Sequence, residues 1–352
     1  MQQRSVTLYI PGLFATAAVP AQLVALFKEI PFSDLSALEL LLARSERQHS
    51  ECSGCEQSLF SLFAIPATNG DWPVAAVTRL VDGGSPDNHY WLRADPVQMQ
   101  PSHDQVVMVG NGQLNLTDSE KTELCHAFNA LCCDDGLHLE APVNQRWYLR
   151  VERPPAITTT PLQRVVGENI YPYLPQGADG LYWNRLLSEV QMLFYGSSVN
   201  QQRRQQGQSE INSLWFWGGG TLPTVTPSPL PWQQLWSNEL LSRGLACLSD
   251  LKSSSLPATG EEWLEQALVA GDHLVVIDGA RQVFHQADEL VEWQVFVQTL
   301  NEYWIAPLLA ALKAGDLEKI TLISDGHHYQ LGRKQLGRWW RRCRPFSRYV
   351  AA

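Results

Sequence analysis

The sequence predicts an α/β fold, and three observations carry the prediction. Short apolar runs of strand length recur along the chain, helix-length stretches with an apolar stripe separate several of them, and the composition suits a large buried core. With 352 residues, 45% of them hydrophobic and 18% charged, the chain is long enough for about two domains. The strand-like runs are VTLYI (6–10), PVAAVTRLV (73–81), QVVMVG (105–110), RWYLRVE (146–152), SLWFWG (213–218), HLVVID (273–278) and KITLISD (319–325). The helix-like stretches are DLSALELLLARSE (34–46), with Asp34 placed to cap it, SEKTELCHAFNALC (119–132) and WNRLLSEVQMLFY (183–195). A long pattern at 287–315 reads as a helix, or two helices broken near Pro307, whose aromatic residues Trp293, Phe296, Tyr303 and Trp304 belong to a core.

One segment, INSLWFWGGGTLP at 211–223, is apolar on both faces: in a strand Leu214 and Phe216 point one way, Trp215 and Trp217 the other. Such a strand is buried. Gly218, Gly219 and Gly220 then suit a turn with room for a ligand or for another backbone. The Thr- and Pro-rich stretch that follows cannot hold a regular helix or central strand.

The formal net charge is −10, so nucleic acid is not the expected partner of the whole surface. The end of the chain differs: residues 332–352 hold Arg333, Lys334, Arg338, Arg341, Arg342, Arg344 and Arg348 and no acid, leaving 19 basic and 36 acidic residues elsewhere. Trp339 and Trp340 suggest that this segment is an amphipathic helix packed back on its domain, its arginines solvated or paired. Seven cysteines at irregular spacing argue against a disulfide framework, and Cys52-Ser-Gly-Cys55 lacks a second pair at zinc-site spacing, so a polar loop with reduced thiols is expected. Arg4 followed by VTLYIPGLFATAAV imitates an export signal, with Ala15-Thr16-Ala17 as a cleavage-like site. Pro11-Gly12 interrupts the apolar run, as a buried strand meeting a turn would, and the cytoplasm is the expected compartment. No uninterrupted apolar run approaches about 20 residues, so no spanning helix is expected.

Two sets of polar residues bear on ligand chemistry. Arg93 and Asp95 fall on one face of an extended segment, where they pair with each other or jointly contact a polar ligand. In SVNQQRRQQGQSEINS, Asn200, Arg203 and Arg204 could aim guanidinium forks at a phosphate or carboxylate, or could line a solvated loop. The stretch leads into Asn212, Trp217 and the three glycines, whose backbone N–H groups could face an anion.

Three blocks, HYWLRADPVQM (89–99), residues 183–223, and the ending from IAPLLAALKAGDLEKITLISDG to GRWWRR, together resemble the bacterial RpfE-type regulatory protein family over nearly the whole chain. The middle block is also similar to the archaeal type of cofactor-independent phosphoglycerate mutase. That resemblance implies an alkaline-phosphatase-like fold, a central α/β sheet flanked by helices with an inserted α+β cap domain. By analogy residues 1–92 and 211–352 form the main domain and 93–210 the insert, with a cleft between them.

The resemblance also implies a metal-binding Asp at the end of the first strand, since a two-cation centre needs several carboxylates and imidazoles. Here that strand reads LYIPGLF, with Pro11 in its place. The hydroxyls that follow, Ser33, Ser36, Ser50 and Ser53, stand in no recognisable nucleophile motif. The metal candidates that remain are Asp278, His285 and Asp288 (an H-x-x-D), Asp325 and His327, although Gly326 displaces the histidine by one place from the family's Asp-His pair. The expectation is therefore a catalytically degenerate mutase-like protein with a regulatory or ligand-binding role. It would take an anionic or phosphorylated small molecule without a cofactor, and a protein partner is open to it. One alternative is an active phosphoglycerate mutase or phosphatase using manganese or zinc through rearranged ligands; another is binding of nucleic acid or a partner protein through the basic C-terminus.

Overall fold

The computed structural model describes residues 4–14, 32, 34–49, 54–66, 70–102, 104–112, 114–224, 230–280, 287–324 and 326–350. In chain order the elements begin with strand β1 (Arg4–Tyr9), helix α1 (Ser36–Arg44), β2 (Glu46–His49) and α2 (Cys55–Leu62). Next come α3 (Val74–Val81), β3 (Tyr90–Ser102), β4 (Gln105–Gly110), α4 (Asp118–Leu131), β5 (Leu137–Val143), β6 (Arg146–Val151), α5 (Gly180–Tyr195), α6 (Ser198–Gln205) and β7 (Ser213–Gly220). The last third supplies β8 (Trp232–Ser237), α7 (Leu240–Leu248), β9 (Ser253–Ser254), α8 (Gly260–Gln266), β10 (Gly271–Val276), α9 (Ala287–Leu300), α10 (Ala306–Ala314), β11 (Lys319–Ser324) and β12 (His327–Gly332).

These elements form two compact units, Met1–Ile65 with Val225–Ala352, and Pro66–Thr224. The division expected at 92/93 and 210/211 cuts through strand pairs: Arg93 lies inside β3, and β7, assigned by the sequence to the main domain, pairs with β3 from Trp91 to Val97. Backbone hydrogen bonding holds both strands in one unit.

The first unit contains a seven-stranded sheet in the order β2-β12-β11-β1-β10-β8-β9, parallel from β11 to β9 and antiparallel at β12 and β2. β1 lies in the interior of this sheet, and its apolar residues Val6 and Leu8 are fully buried, as a parallel strand covered on both faces requires. Between α9 and α10 the chain makes a π-helical turn, Asn301–Ile305, just before Pro307, so the pattern at 287–315 continues through its proline instead of breaking. Asn301 accepts a hydrogen bond from the Leu38 N–H at 2.8 Å and donates to the Asp34 carbonyl, satisfying an orphan donor at the start of α1. Asp34, expected to cap the helix, instead precedes the N-cap Leu35, which has no side-chain cap bond, and accepts from the Ser36 N–H at 2.9 Å.

The second unit is a five-stranded antiparallel sheet, β4-β3-β6-β5 with β7 on β3, accompanied by α3 to α6. Helix α4 opens with a capping box: the Thr117 side chain accepts from the Glu120 N–H, and Glu120 accepts from the Thr117 N–H. The run PVAAVTRLV, expected to be a strand, is the helix α3. Its burial is continuous from Val74 to Thr78, and a fully buried helix segment cannot be told from a buried strand by periodicity; the Ala75-Ala76 pair favours the helix.

Candidate functional site

In open α/β sheets ligands bind beyond the carboxyl ends of the parallel strands, so that edge of the first unit is the place to look for chemistry. Past β1 the Ile10 N–H donates to the Ile323 carbonyl at 2.9 Å, and the chain turns through Pro11 and Gly12, the latter at φ 77°. Pro11 is buried, and Leu13 and Phe14 are fully buried. The Leu13 N–H donates to the Ser324 hydroxyl at 3.2 Å, and the Trp293 indole donates to the Gly12 carbonyl at 3.3 Å. The Phe14 ring lies 5.6 Å from Tyr329, 6.2 Å from Phe346 and 5.8 Å, edge-on, from His327. Trp293 stacks on Phe346 at 6.1 Å. An aromatic cluster thus fills the space above the end of β1.

Of the metal candidates, the side chains of Asp278 and His327 fall among the described residues. Asp278 is exposed just beyond β10. His327 is half-buried at the start of β12, its ring 5.0 Å from that of His49. His285 and Asp325 lie outside the described residues, as do the side chain of Asp288 and residues Ser33, Ser50, Ser53 and Cys52; Ser36 is exposed at the start of α1. From Pro11 to Phe14 no side chain offers a donor atom to a divalent ion. Among the described residues no group of three or more His, Cys, Asp or Glu is arranged to hold an ion. Beside His327, His328 has its pKa lowered by burial and by the neighbouring His327 and His49.

The second unit brings the predicted ligand residues into two clusters. In the first, Arg93 donates to Asp95 Oδ1 through Nε at 3.0 Å and Nη2 at 2.6 Å, and the Trp217 indole donates to Asp95 Oδ2 at 2.8 Å. The Arg93 guanidinium lies 5.3 Å from the Tyr148 ring centre and 5.2 Å from that of Trp217. Asp95 is 1% exposed; burial raises its pKa against the pull of Arg93 and the N–H groups of Trp217 and Trp147. Tyr148 donates to Asp82 at 2.6 Å, and Arg146 grips the same carboxylate through two nitrogens at 2.8 and 2.6 Å. Burial raises the Asp82 pKa, but the bonds from Arg146 and Tyr148 outweigh it, and the net shift is downward. Sequence reasoning missed Asp82, Arg146 and Tyr148; the signal was the same-face spacing of Arg146 and Tyr148 on β6.

In the second cluster Asn200, fully buried, donates to the carbonyls of Phe194 and Ile211 and accepts from the Ile211 N–H, so it staples α6 to the entry of β7. Arg203 donates to Ser209 O, Leu114 O and Glu120. Arg204, more open, pairs with Glu210 at 2.6 Å. Asn212 exchanges two hydrogen bonds with the backbone of Met99. These side chains bind their own unit.

The glycines do not form the expected turn. Gly218, Gly219 and Gly220 belong to β7, and Gly218 at φ 64° sits where the register against β3 shifts, a bulge that only glycine adopts without strain. A Cβ on Gly220 would lie 2.6 Å from that of Pro73, and one on Gly218 would lie 3.0 Å from Val74 Cβ. Close approach of α3 fills the space that the sequence suggested for a ligand. The Gly218 N–H donates to the Thr159 hydroxyl at 3.1 Å, and Thr159 in turn donates to Asp71, whose pKa is raised by burial.

No protein-family model matches the chain. Among curated proteins it is 36% identical over 67 residues to a 2,3-bisphosphoglycerate-independent phosphoglycerate mutase of Methanosarcina mazei, a stretch covering 19% of this chain and 17% of the relative. It is 26% identical over 170 residues to a probable enzyme of the same name in Geobacter sulfurreducens, covering 48% of this chain and 42% of the relative. The matched stretches are similar to cofactor-independent phosphoglycerate mutases. The matches span less than half the length of these relatives. A solved structure, the PH0037 protein from Pyrococcus horikoshii, has a similar fold, with a TM-score of 0.52 and 10% identity over 94% of this chain and 88% of that one. The sheet flanked by helices and the separate α+β unit accord with the alkaline-phosphatase-like class expected from the sequence. Among the described residues no helix is long and apolar enough to cross a membrane.

Proposed function

We propose that this chain is a phosphoglycerate-mutase-like protein that has given up phosphoryl transfer and works by binding, in the regulatory role that its resemblance to RpfE-type proteins implies. One observation carries the reading: the turn after β1 is Pro11-Gly12 followed by the fully buried Leu13 and Phe14, an apolar plug where phosphoryl transfer through two cations would need an oxygen donor. Pro11 is itself buried, so a carboxylate in its place would be a buried charge, and the apolar Leu13 and Phe14 that follow offer it no partner. The competing reading, an enzyme with rearranged ligands, would draw on His327, whose ring is already packed edge-on against Phe14.

The ligand class of this reading is an anionic or phosphorylated small molecule. Arg93 and Arg203 are poor candidates to receive it, because their donors are spent inside the unit. A thermal-shift screen of the full chain against phosphorylated metabolites, with and without divalent metal, tests the proposal. A ligand at about 100 times its Kd adds about 2.7 kcal/mol to the stability of the native state. The expected result is a shift that needs no metal; a shift that appears only with manganese or zinc present contradicts it.

A further inference from the structure

The basic C-terminal segment is not the amphipathic helix that its sequence suggests. After β12 the chain makes only short 3-10 turns, Gln335–Gly337 and Phe346–Arg348, joined by turns and coil. Trp339 and Trp340 are not packed against the domain: they are 81% and 63% exposed, their rings 6.2 Å apart and nearly perpendicular. The segment is anchored at its end by the buried Phe346, Tyr349 and Val350, and before them by polar contacts. Arg338 pairs with Glu46 at 2.6 Å, and Arg341 donates to the Ser45 carbonyl.

That anchoring leaves a cavity of about 630 Å³, lined chiefly by Arg47, Trp340, Arg341, Arg342, Arg344 and Tyr349, with no carboxylate in its wall among the described residues. The Arg47 guanidinium is held over the rings of Tyr329 and Tyr349, 5.3 and 5.1 Å from their centres. Arg342 and Arg344 are exposed and, among the described residues, take part in no ion pair. Four guanidinium groups around one opening, in a protein whose remaining residues are strongly acidic, form a site for a polyanion with several phosphates. An exposed indole at the rim supplies a face on which a base can stack.

We propose that this cavity binds single-stranded nucleic acid, independently of whether the sheet edge retains any phosphoryl-transfer chemistry. A duplex hides its base faces, whereas a single strand offers phosphates to Arg341, Arg342 and Arg344 and a base to Trp340. A free mononucleotide carries the same chemistry but has one base, whereas the exposed Trp339 beside Trp340 offers a second ring to the next base of a strand.

The test is fluorescence anisotropy of a labelled oligothymidylate titrated with the full chain at several salt concentrations. Binding should weaken with salt, the slope of log K against log salt being about −0.7 for each phosphate neutralised, so roughly −2 to −3 for three or four arginines. The double change Arg342→Ala with Arg344→Ala should lower affinity about tenfold or more and flatten the slope, whereas lysine at both positions should keep the slope. Trp340→Ala should cost about 5-fold to 100-fold, the loss of one stacked base. Unchanged melting temperatures would establish that these surface variants are folded. The proposal is overturned if the oligonucleotide does not bind at micromolar protein, if a mononucleotide binds as tightly, if acidic phospholipid vesicles bind and the oligonucleotide does not, or if the variants bind like the parent.

Discussion

Inside the antiparallel unit, Arg93 and Arg203 are almost wholly withdrawn from solvent and give their donors to Asp95, to Glu120 and to backbone carbonyls. Near the C-terminus, Arg342 and Arg344 are exposed and, among the described residues, have no carboxylate partner. In the sequence both sets stand as cations free to meet an anion. What separates them is the availability of partners. Arg93 meets Asp95 two positions away on the same strand face and Arg203 meets a capping glutamate, while the final segment contains no acid at all. A guanidinium is a ligand candidate only when its own fold has not already consumed it.

The largest expected effect that sharpens this contrast is on stability. Arg93→Ala leaves the Asp95 carboxylate buried without its cation and should cost about 3–5 kcal/mol, read from urea unfolding of the full chain. Replacing both partners with apolar residues of similar size should cost much less, because no orphan charge remains. A loss under about 1 kcal/mol for the single change would place Arg93 with the solvent-facing arginines and break the comparison.

A smaller effect separates the two units by pH. His273, buried in β10, accepts from the Trp236 indole at 3.2 Å and hydrogen-bonds through Nε2 to the Val269 carbonyl at 2.8 Å; burial lowers its pKa below the ordinary 6.5, as it does for His328. Folded-state values below the unfolded ones mean that the unfolded chain takes up protons first. The parallel-sheet unit should therefore be at full strength above pH 6.5 and lose stability as pH falls from there towards the folded values. In the antiparallel unit Asp82 and Glu120 are lowered, so their contributions persist until pH falls below the ordinary 3.8 and 4.5. Asp71 and Asp95, raised by burial, act in the opposite sense and favour the folded state as pH falls towards 3.8. Amide exchange followed by mass spectrometry should show β10 losing protection between neutrality and about pH 5 while β6 keeps it. Loss in β6 first would contradict the assignment.

The smallest effect is on the exposed side of the contrast. Arg342→Ala combined with Arg344→Ala should change folding stability by no more than about 0.5 kcal/mol, because neither side chain supports packing. A larger loss in urea unfolding would mean that these arginines, too, are part of the structure.

Much of the fold was legible because local signals agreed with the final packing. β1, β4, β6, β7, β10 and β11 all fall on apolar runs read from the sequence, and α1, α4 and α5 fall on the stretches with an apolar stripe. The failures share a cause. α3 reads as a strand because helix and strand cannot be told apart over a short continuously buried run such as Val74 to Thr78, and the glycines after Trp217 read as a turn although β7 continues through them with a bulge in its pairing to β3, close against α3. Tertiary contacts decided both. The candidate site was legible in one respect, the proline at the end of β1, since that is a statement about residue chemistry at a fixed topological position. The fates of Arg93, Asn200, Arg203 and Asn212 were not, because a hydrogen bond from Arg203 to Leu114, or from Asn212 to Met99, joins residues whose proximity no local pattern encodes.

The central claim is that the apolar plug formed by Pro11, Leu13 and Phe14 has replaced a phosphoryl-transfer centre. Interconversion of 2- and 3-phosphoglycerate, followed by phosphorus NMR with the full chain supplied with manganese or zinc, tests it most directly. The account predicts no conversion and no release of phosphate above the rate without protein. Conversion that depends on added metal and disappears in His327→Ala would contradict it.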